Sequence, residues 1–164
     1  MIQTLTVLQL ILIIAVIFYM TANIIYLVRL EPIVKPISNP PRLSVCVPAR
    51  NEARGIQACL QSLLNQDYPN FEVIAIDDHS TDSTGDIMRT LSQENAHLKV
   101  LKAADLPEDW LGKPFALHQA FKIAQGEYLL FTDADLVFQS TTLNTAVHVT
   151  VSYTHLTLTK KRIV

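Results

Sequence analysis

The first 28 residues of the chain contain no acidic or basic side chain, and the first charged residue is Arg29. Without Asp, Glu, Lys or Arg this segment cannot be a solvated surface helix. From Leu5 to Leu30 the sequence is predominantly apolar, and about 20 apolar residues suffice to cross ~30 Å of hydrocarbon as a helix. A cleaved signal peptide, the competing interpretation, needs a basic start and a small-residue cleavage motif, and neither is present. We therefore expect residues 1–30 to be a transmembrane anchor.

Basic residues are absent before this anchor and present after it. Arg29, Lys35, Arg42 and Arg50 all follow the apolar segment. Because basic residues favour the cytoplasmic side of a span, this asymmetry predicts an external N-terminus and a cytoplasmic domain. The expected location is the cell membrane, inner or plasma, as a single-pass protein.

Residues 31–42 separate the anchor from the rest of the chain. Proline blocks helix and favours an extended backbone, so this segment is expected to be a stiff linker. It contains Pro32, Pro36, Pro40 and Pro41.

Cysteine and glycine are also scarce, and the net charge is small. Two cysteines, Cys46 and Cys59, exclude a disulfide scaffold and a zinc cluster, and both are expected to be reduced, buried and apolar in role. A net charge of −2 gives no basis for binding nucleic acid. The four glycines form no G-x-G-x-x-G motif, which disfavours a dinucleotide site.

Beyond residue 42, apolar runs typical of strands alternate with segments of helical period. Strands are predicted at 43–47, 71–76, 98–101 and 128–132. Such alternation predicts a parallel sheet with helices on both faces. The predicted helices are 53–66, a helix capped by Ser80–Asp82 that runs to about Gln93, and 114–125 with Gly126 as its C-terminal stop.

Polar residues follow three of the predicted strands. In parallel sheets ligands bind beyond the carboxyl ends of the strands, so these residues form a candidate site by position alone. They are Pro48 to Glu52 after the first strand, Asp77 to Ser80 after the second, and Asp133 to Asp135 after the fourth.

Asp133 and Asp135 bracket a single alanine. Two carboxylates this close repel each other unless a cation or a proton intervenes. A hard divalent ion with oxygen ligands fits, and phosphate oxygens can complete its shell. Such an ion would neutralise a diphosphate leaving group. The alternative for so short a motif is a pair of solvated carboxylates, or caps of the next helix.

Other candidate residues each have two interpretations. Asp77 and Asp78 can accept hydrogen bonds from a base or a ribose, or cap the following helix. Lys113 follows Gly112 just before a helix, where a lysine can meet phosphate, or it is a solvated loop lysine. Trp110 either lines a pocket wall or packs against its neighbours.

Four segments together resemble the family 2 glycosyltransferases with the GT-A fold. They are VPARNE (47–52), LLNQDYP (63–69), FEVIAIDDHSTDST (71–84) and GEYLLFTDAD (126–135), and LPEDWLGKPFALHQA (106–120) is similar to a subgroup near hopanoid- and carotenoid-associated glycosyltransferases. The resemblance implies an α/β fold: a partial GT-A domain, Rossmann-like, with a mostly parallel sheet, preceded by one transmembrane helix. Residues 43–150 would form its nucleotide-sugar-binding part.

The resemblance implies a hexosyltransferase that uses a nucleotide-sugar donor, commonly a UDP-sugar, with Mg²⁺ or Mn²⁺. The acceptor would be membrane-associated, and a lipid is expected. By position, the nucleotide-binding residues would be Pro48 and Arg50 near the base, Glu52 closing their loop, Asp78 reading the base, Lys113 near the diphosphate and Asp133 by the ribose and sugar. The metal would be bound by Asp133 and Asp135.

The catalytic base of this family is an aspartate well downstream, and no Asp or Glu follows Asp135 in this sequence. Because the acceptor hydroxyl must lose a proton, either another residue serves as the base or the chain is incomplete. We expect the chain to be C-terminally truncated and inactive as an enzyme. The alternatives are a nucleotide- and metal-binding fragment without turnover, or a nucleotidyltransferase with a similar first half.

The end of the chain is unusual. Residues 151–158 read VSYTHLTL, which resembles the translation of a transposon end used in sequencing libraries. We therefore expect residues 151–164 to be a non-native tail. The alternative is an ordinary strand with a basic end.

Overall fold

The computed structural model of the protein describes residues 2–26, 37–153 and 162–163. They belong to two compact units, Met1–Glu31 and Pro32–Val164. Most of the predicted linker, up to residue 36, lies outside the described residues.

The first unit is a single helix, α1 (Ile2–Tyr26). Within the described residues it is the one helix that is long and apolar enough to cross a membrane, over Thr6–Ile24. Two of its polar side chains bond to its own backbone: Thr21 Oγ1 donates to the Ile17 carbonyl at 2.8 Å, and Asn23 Nδ2 donates to the Tyr19 carbonyl at 3.0 Å. The predicted N-terminal apolar helix is thus present.

The second unit is a parallel five-stranded sheet in the order β3-β2-β1-β4-β5. The predicted alternation of strand and helix is confirmed. Its elements are β1 (Leu43–Ala49), α2 (Ile56–Leu64), β2 (Phe71–Asp77), α3 (Thr84–Glu94), β3 (Leu98–Lys102), α4 (Gly112–Ile123), β4 (Tyr128–Phe131), α5 (Thr142–Tyr153) and β5 (Arg162–Ile163).

The two faces of the sheet bury separate cores. On one face, Val45 and Val47 of β1 pack in a cluster with residues of α2, α3 and α5, among them Leu60 and Met88. On the other face, Cys46 packs in a cluster with Ile74 and Ile76 and with Ala116 and Ala120 of α4. Burying a large apolar side chain completely contributes about 1.5–3 kcal/mol, so these clusters are what hold the helices against the sheet.

Helix α2 is shorter than predicted at both ends, and it begins at Ile56. Before it, the backbone N–H groups of Gly55 and Ile56 both donate to the Glu52 carbonyl, at 3.0 and 2.9 Å. Residues 53–55 therefore form a turn, which leaves Glu52 at the sheet edge.

The prediction for the start of α3 was only partly right. The N-cap is Ser83, whose side chain makes no capping hydrogen bond. The side chain of Asp82 provides a hydrogen-bond acceptor for the first turn instead. Its Oδ1 accepts the Thr84 N–H at 3.0 Å and the Thr84 hydroxyl at 2.5 Å.

The predicted role of Gly126 as a helix stop was wrong. Helix α4 ends at Ile123, and no described glycine has a positive φ. Gly126 instead donates its N–H to Ser44 Oγ at 2.8 Å, and a Cβ there would lie 2.5 Å from the Ser44 nitrogen. Glycine is needed because the backbone entering β4 passes against β1.

Helix α5 was not predicted. Its residues include several threonines and valines, which have low helix propensity. The available signal was the four-residue spacing of Leu143 and Val147, both buried. The helix continues past Thr150 to Tyr153, and residues 154–161 of the expected tail lie outside the described residues.

Candidate functional site

A cavity of about 430 Å³ lies at the carboxyl ends of β1, β2 and β4. The strand order runs from β1 to β2 on one side and from β1 to β4 on the other, so this edge is the topological switch point where α/β sheets bind ligands. The cavity is lined by Pro48, Ala49, Arg50, Glu52, Asp78, Gly112, Lys113, Asp133, Ala134 and Asp135.

The cavity contains every nucleotide-binding and metal-binding residue that the sequence analysis named. These residues come from four separate segments of the chain, and the parallel sheet brings the segments together. Trp110 is not among the lining residues. It packs against Phe115 and His118, with ring centroids 5.4 and 5.0 Å away, so its packing interpretation is the one the structure favours.

The two adjacent aspartates after β2 have different surroundings. Asp77 is buried, and its Oδ1 accepts the Ser80 N–H at 3.0 Å, so it stabilises the loop. Asp78 lines the cavity, and its backbone N–H donates to the Ala49 carbonyl at 2.8 Å. That bond fixes Asp78 beside the end of β1.

The loops after β1 and β2 are joined by Asn51, a residue that the sequence analysis did not single out for this role. Asn51 has a φ of 57°, a left-handed conformation that asparagine tolerates. Its N–H donates to Ser80 Oγ at 3.0 Å, and its Oδ1 accepts the Thr81 N–H at 2.8 Å. No spacing in the sequence predicts these two hydrogen bonds, because each joins residues about 30 positions apart.

Two further bonds join the same loops. The Glu52 N–H donates to Thr84 Oγ1 at 2.8 Å, and the Ala53 N–H donates to Asp82 Oδ2 at 3.2 Å. The hydrogen bonds from Thr84 and the one from Ala53 hold the pKa of the Asp82 carboxyl below its usual range. The loops are thus held together by polar contacts, which keep Arg50 and Glu52 at the cavity.

The segment carrying Asp133 and Asp135 is anchored on α2. Ala134 between them is buried. A Cβ on Gly55 would lie 3.5 Å from the Ala134 oxygen, and the Cys59 thiol donates to the Asp133 carbonyl at 3.6 Å. Burial raises the pKa of the Cys59 thiol to about 11, so it stays protonated and able to donate.

Lys113, at the start of α4, forms an ion pair with Asp133 across the cavity. The two side chains are 59% and 56% exposed, so the pair is accessible to a ligand. Such an exposed pair contributes at most about 1 kcal/mol to stability. Both groups can therefore exchange partners at little cost when a charged ligand enters.

The donor set fits a divalent cation that is shared with its ligand. Within residues 2–26, 37–153 and 162–163, no three His, Cys, Asp or Glu side chains gather into a ready-made metal site. Asp133 and Asp135 supply carboxylate oxygens at the same cavity. Mg²⁺ in particular is usually held by one or two carboxylates together with substrate phosphates and water. The residues present fit that mode of binding.

A family model described as Glycosyl transferase family 2 matches residues 44–150. Two curated relatives match stretches of similar length. A poly(ribitol-phosphate) beta-glucosyltransferase from Bacillus spizizenii is 36% identical over 96 residues, covering 57% of this chain and 15% of that protein. A beta-monoglucosyldiacylglycerol synthase from Nostoc is 40% identical over 97 residues, covering 58% of this chain and 20% of that protein. The chain thus matches a fifth or less of the length of either relative.

Solved structures share the fold. The mannosyltransferase PcManGT from Pyrobaculum calidifontis, in complex with GDP-Man and Mn²⁺, is 31% identical with a TM-score of 0.63, covering 80% of this chain and 38% of that one. TarS from S. aureus, in complex with UDP-GlcNAc, is 35% identical with a TM-score of 0.57, covering 68% of this chain and 32% of that one. The stretch matched by the family model includes every residue that lines the cavity.

Proposed function

The chain belongs to glycosyl transferase family 2, and from that premise we propose that residues 43–150 are the nucleotide-sugar-binding part of a hexosyltransferase. The observation that carries the proposal is the cavity at the switch point of the sheet. It gathers two basic and four acidic side chains: Arg50 and Lys113 with Glu52, Asp78, Asp133 and Asp135. Basic groups suit a diphosphate, and carboxylates suit a cation, a ribose and a base.

The proposed donor is a UDP-sugar. The TarS complex with UDP-GlcNAc supports this choice, and the PcManGT complex with GDP-Man makes a GDP-sugar the comparison to test. In the proposed arrangement Pro48 and Arg50 lie beside the base, and Glu52 closes their loop. Asp78 accepts a hydrogen bond from the base, Lys113 contacts the diphosphate, and Asp133 serves the ribose and sugar.

The proposed cofactor is Mg²⁺ or Mn²⁺ held by Asp135 and Asp133, and Mn²⁺ accompanies the sugar nucleotide in PcManGT. When bound, the ion supplies charge neutralisation to the diphosphate leaving group. The chain's own contribution is Lys113, which can exchange its partner Asp133 for a phosphate oxygen. Asp133 is then released toward the cation.

The proposed acceptor is a membrane lipid. Helix α1, in which Thr21 and Asn23 bond to the helix's own backbone, supports residues 1–30 as a single-pass anchor, with residues 31–42 as the linker. The similarity to a beta-monoglucosyldiacylglycerol synthase supports a lipid partner. The basic residues that follow the apolar segment support a cytoplasmic domain at the inner or plasma membrane.

Residues 136–164 contain no Asp or Glu that could deprotonate the acceptor hydroxyl. We propose that the chain binds donor and metal without completing transfer, and that residues 151–164 are a non-native tail. The nucleotide sequence beyond the codon for Thr150 tests the second point, because a transposon end there would confirm it and a native reading frame would overturn it.

The binding proposal is tested by equilibrium dialysis of the full chain in lipid nanodiscs against labelled UDP-glucose, UDP-GlcNAc and GDP-mannose, with and without Mn²⁺. Binding is expected to require Mn²⁺ and to be lost in Asp135→Asn. Glu94→Gln is the matched control, since Glu94 is an exposed acid at the end of α3, outside the cavity lining. Metal-independent binding would contradict the proposal. A product that retains the nucleoside monophosphate would instead indicate a nucleotidyltransferase.

A further inference from the structure

The side chain of Asp78 is mostly buried at the cavity, at 15% exposed, compared with 56% for Asp133. Its two oxygens have different neighbours. Oδ1 lies 3.2 Å from His79 Nδ1. Oδ2 lies against Gly112, the first residue of α4, where a Cβ would come within 3.0 Å of it.

His79 has a backbone conformation that few residues adopt. Its φ is 59°, in the left-handed region where residues other than glycine are uncommon and where histidine is one of the tolerated exceptions. Such conformations persist only where the surrounding structure holds them in place, and they cluster at functional sites. In this conformation the imidazole lies between Asp78 and Asp105, and its Nε2 is 3.7 Å from Asp105 Oδ1.

Gly112 is constrained for a different reason. It does not have a positive φ, so its backbone would accept an alanine. The nearest atom that an added Cβ would meet is Asp78 Oδ2, at the end of a side chain that can move. A methyl group there would displace the carboxylate and leave the fold intact.

We propose that His79 and Gly112 are positioning residues that hold the Asp78 carboxylate in the orientation that reads the nucleobase. His79 does so by a hydrogen bond to Oδ1, and Gly112 does so by leaving room for Oδ2. A binding group whose rotamer is already fixed loses less conformational freedom when the ligand arrives. The inference rests on the proposed function, because it assigns Asp78 to the base of a nucleotide donor.

The test uses two ligands that share the phosphates and differ in the base. The full chain in nanodiscs is titrated with UDP and with pyrophosphate, each in the presence of Mn²⁺. His79→Gly keeps the allowed φ and removes the imidazole. It is expected to weaken UDP binding about tenfold, the scale of a hydrogen bond to a charged group, with pyrophosphate binding unchanged. His79→Asn tolerates the same φ and retains a short donor, so it is expected to restore most of the UDP affinity.

Gly112→Ala provides the second variant. Alanine is a better helix former than glycine, so the melting temperature is expected to stay the same or rise. The affinity for UDP is expected to fall while the affinity for pyrophosphate holds. Glu94→Gln and His97→Asn are controls expected to change neither affinity. Glu94 is an exposed acid at the end of α3, and His97 stacks on Phe71 at the opposite edge of the sheet.

The outcomes separate the two proposals. If the unmodified chain binds neither ligand, the proposed function fails. If the unmodified chain binds UDP and both His79→Gly and Gly112→Ala bind it equally well, the positioning role is overturned and the function stands. A parallel loss of UDP and pyrophosphate affinity in these variants would mean a general structural effect, which also overturns the positioning role. Failure of His79→Asn to recover UDP affinity would overturn the hydrogen-bond part of the proposal.

Discussion

Glu72 at the amino edge of the sheet and Asp133 and Asp135 at its carboxyl edge lie in opposite surroundings. At the amino edge, Glu72 is 3% exposed and has a partner for every oxygen. It accepts hydrogen bonds from Ser44 Oγ at 2.7 Å, the Gln125 N–H at 2.7 Å and Lys99 Nζ at 2.8 Å. At the carboxyl edge, Asp133 and Asp135 are exposed at a cavity.

A structural carboxylate such as Glu72 differs from one available for a ligand in how fully its oxygens are hydrogen-bonded within the fold. Burial alone raises the pKa of Glu72, but the hydrogen bonds from Lys99, Ser44 and Gln125 outweigh burial and hold that pKa below its usual range. Glu72 is therefore ionised and fully engaged within the fold. At the carboxyl edge, Asp133 pairs with the exposed Lys113, and both Asp133 and Asp135 are exposed at the cavity, where a ligand can reach them.

The largest expected effect on stability comes from Glu72→Ala. This change leaves a buried hydroxyl and a backbone N–H without their acceptor, so we expect the free energy of unfolding to fall by about 3 kcal/mol. Urea unfolding of the full chain in detergent micelles measures it. The matched variant at the other edge, Asp133→Ala, is expected to change stability by less than about 0.5 kcal/mol. Equal losses from the two variants would remove the contrast between the edges.

Gly126→Ala tests the same amino edge through its backbone. The added methyl group would lie 2.5 Å from the Ser44 nitrogen, and backbone cannot move aside as a side chain can. We expect a loss of about 2 kcal/mol, measured by the same unfolding experiment. Gly55→Ala is the control, because its Cβ would meet its neighbours at an ordinary 3.5 Å. A neutral Gly126→Ala would show that the strands can separate to admit the methyl group.

Lowering the pH tests the contribution of Glu72 at the amino edge without any substitution. Because the pKa of Glu72 is lowered in the folded state, its contribution is complete above the unfolded value, near 4.5, and is lost as the pH falls through the folded value. Stability of the full chain is therefore expected to decline below about pH 4.5. Glu72→Gln is expected to flatten that decline, as measured by urea midpoints across pH. An unchanged slope in Glu72→Gln would assign the acid sensitivity to other groups.

The smallest expected effect on stability comes from Lys113→Gln at the carboxyl edge. Its ion pair with Asp133 is exposed, so we expect a change within about 0.5 kcal/mol. The affinity for UDP with Mn²⁺ is nonetheless expected to fall several-fold, because a charge-assisted contact to the diphosphate is lost. Calorimetry measures the affinity and urea unfolding the stability. A large loss of stability with unchanged affinity would make Lys113 a structural residue.

The contents of the carboxyl edge could be predicted from the sequence. Each strand is a short apolar run, and the polar residues that follow it must meet at one edge when the strands are parallel. Position therefore identified Asp78, Asp133 and Asp135 before any packing was known. The separate roles of Asp77 and Asp78 could not be read, because they depend on which side chain the loop buries.

The amino edge and the joined loops could not be predicted, because they depend on contacts between distant residues. In the sequence, Glu72 is a single polar residue within an apolar strand. Its burial is explained by two contacts with distant residues: Ser44 lies beside it in the sheet, and the Gln125 N–H donates to its carboxylate. Asn51 likewise matters through its bonds to Ser80 and Thr81. Gly126 was predicted to be a helix stop because it follows a helical pattern. Its close approach to Ser44 leaves no trace in the neighbouring sequence, so the sequence could not indicate it.

Calorimetric titration of the full chain with UDP in the presence of Mn²⁺ measures whether the exposed carboxylates of the cavity bind a metal-bridged diphosphate. We expect saturable heat for the unmodified chain and for Glu72→Gln. We expect no heat for Asp133→Asn or Asp135→Asn, with both variants as stable as the unmodified chain. Absence of heat from a folded unmodified chain, or undiminished heat from the Asp135→Asn variant, would contradict metal-bridged binding by these carboxylates.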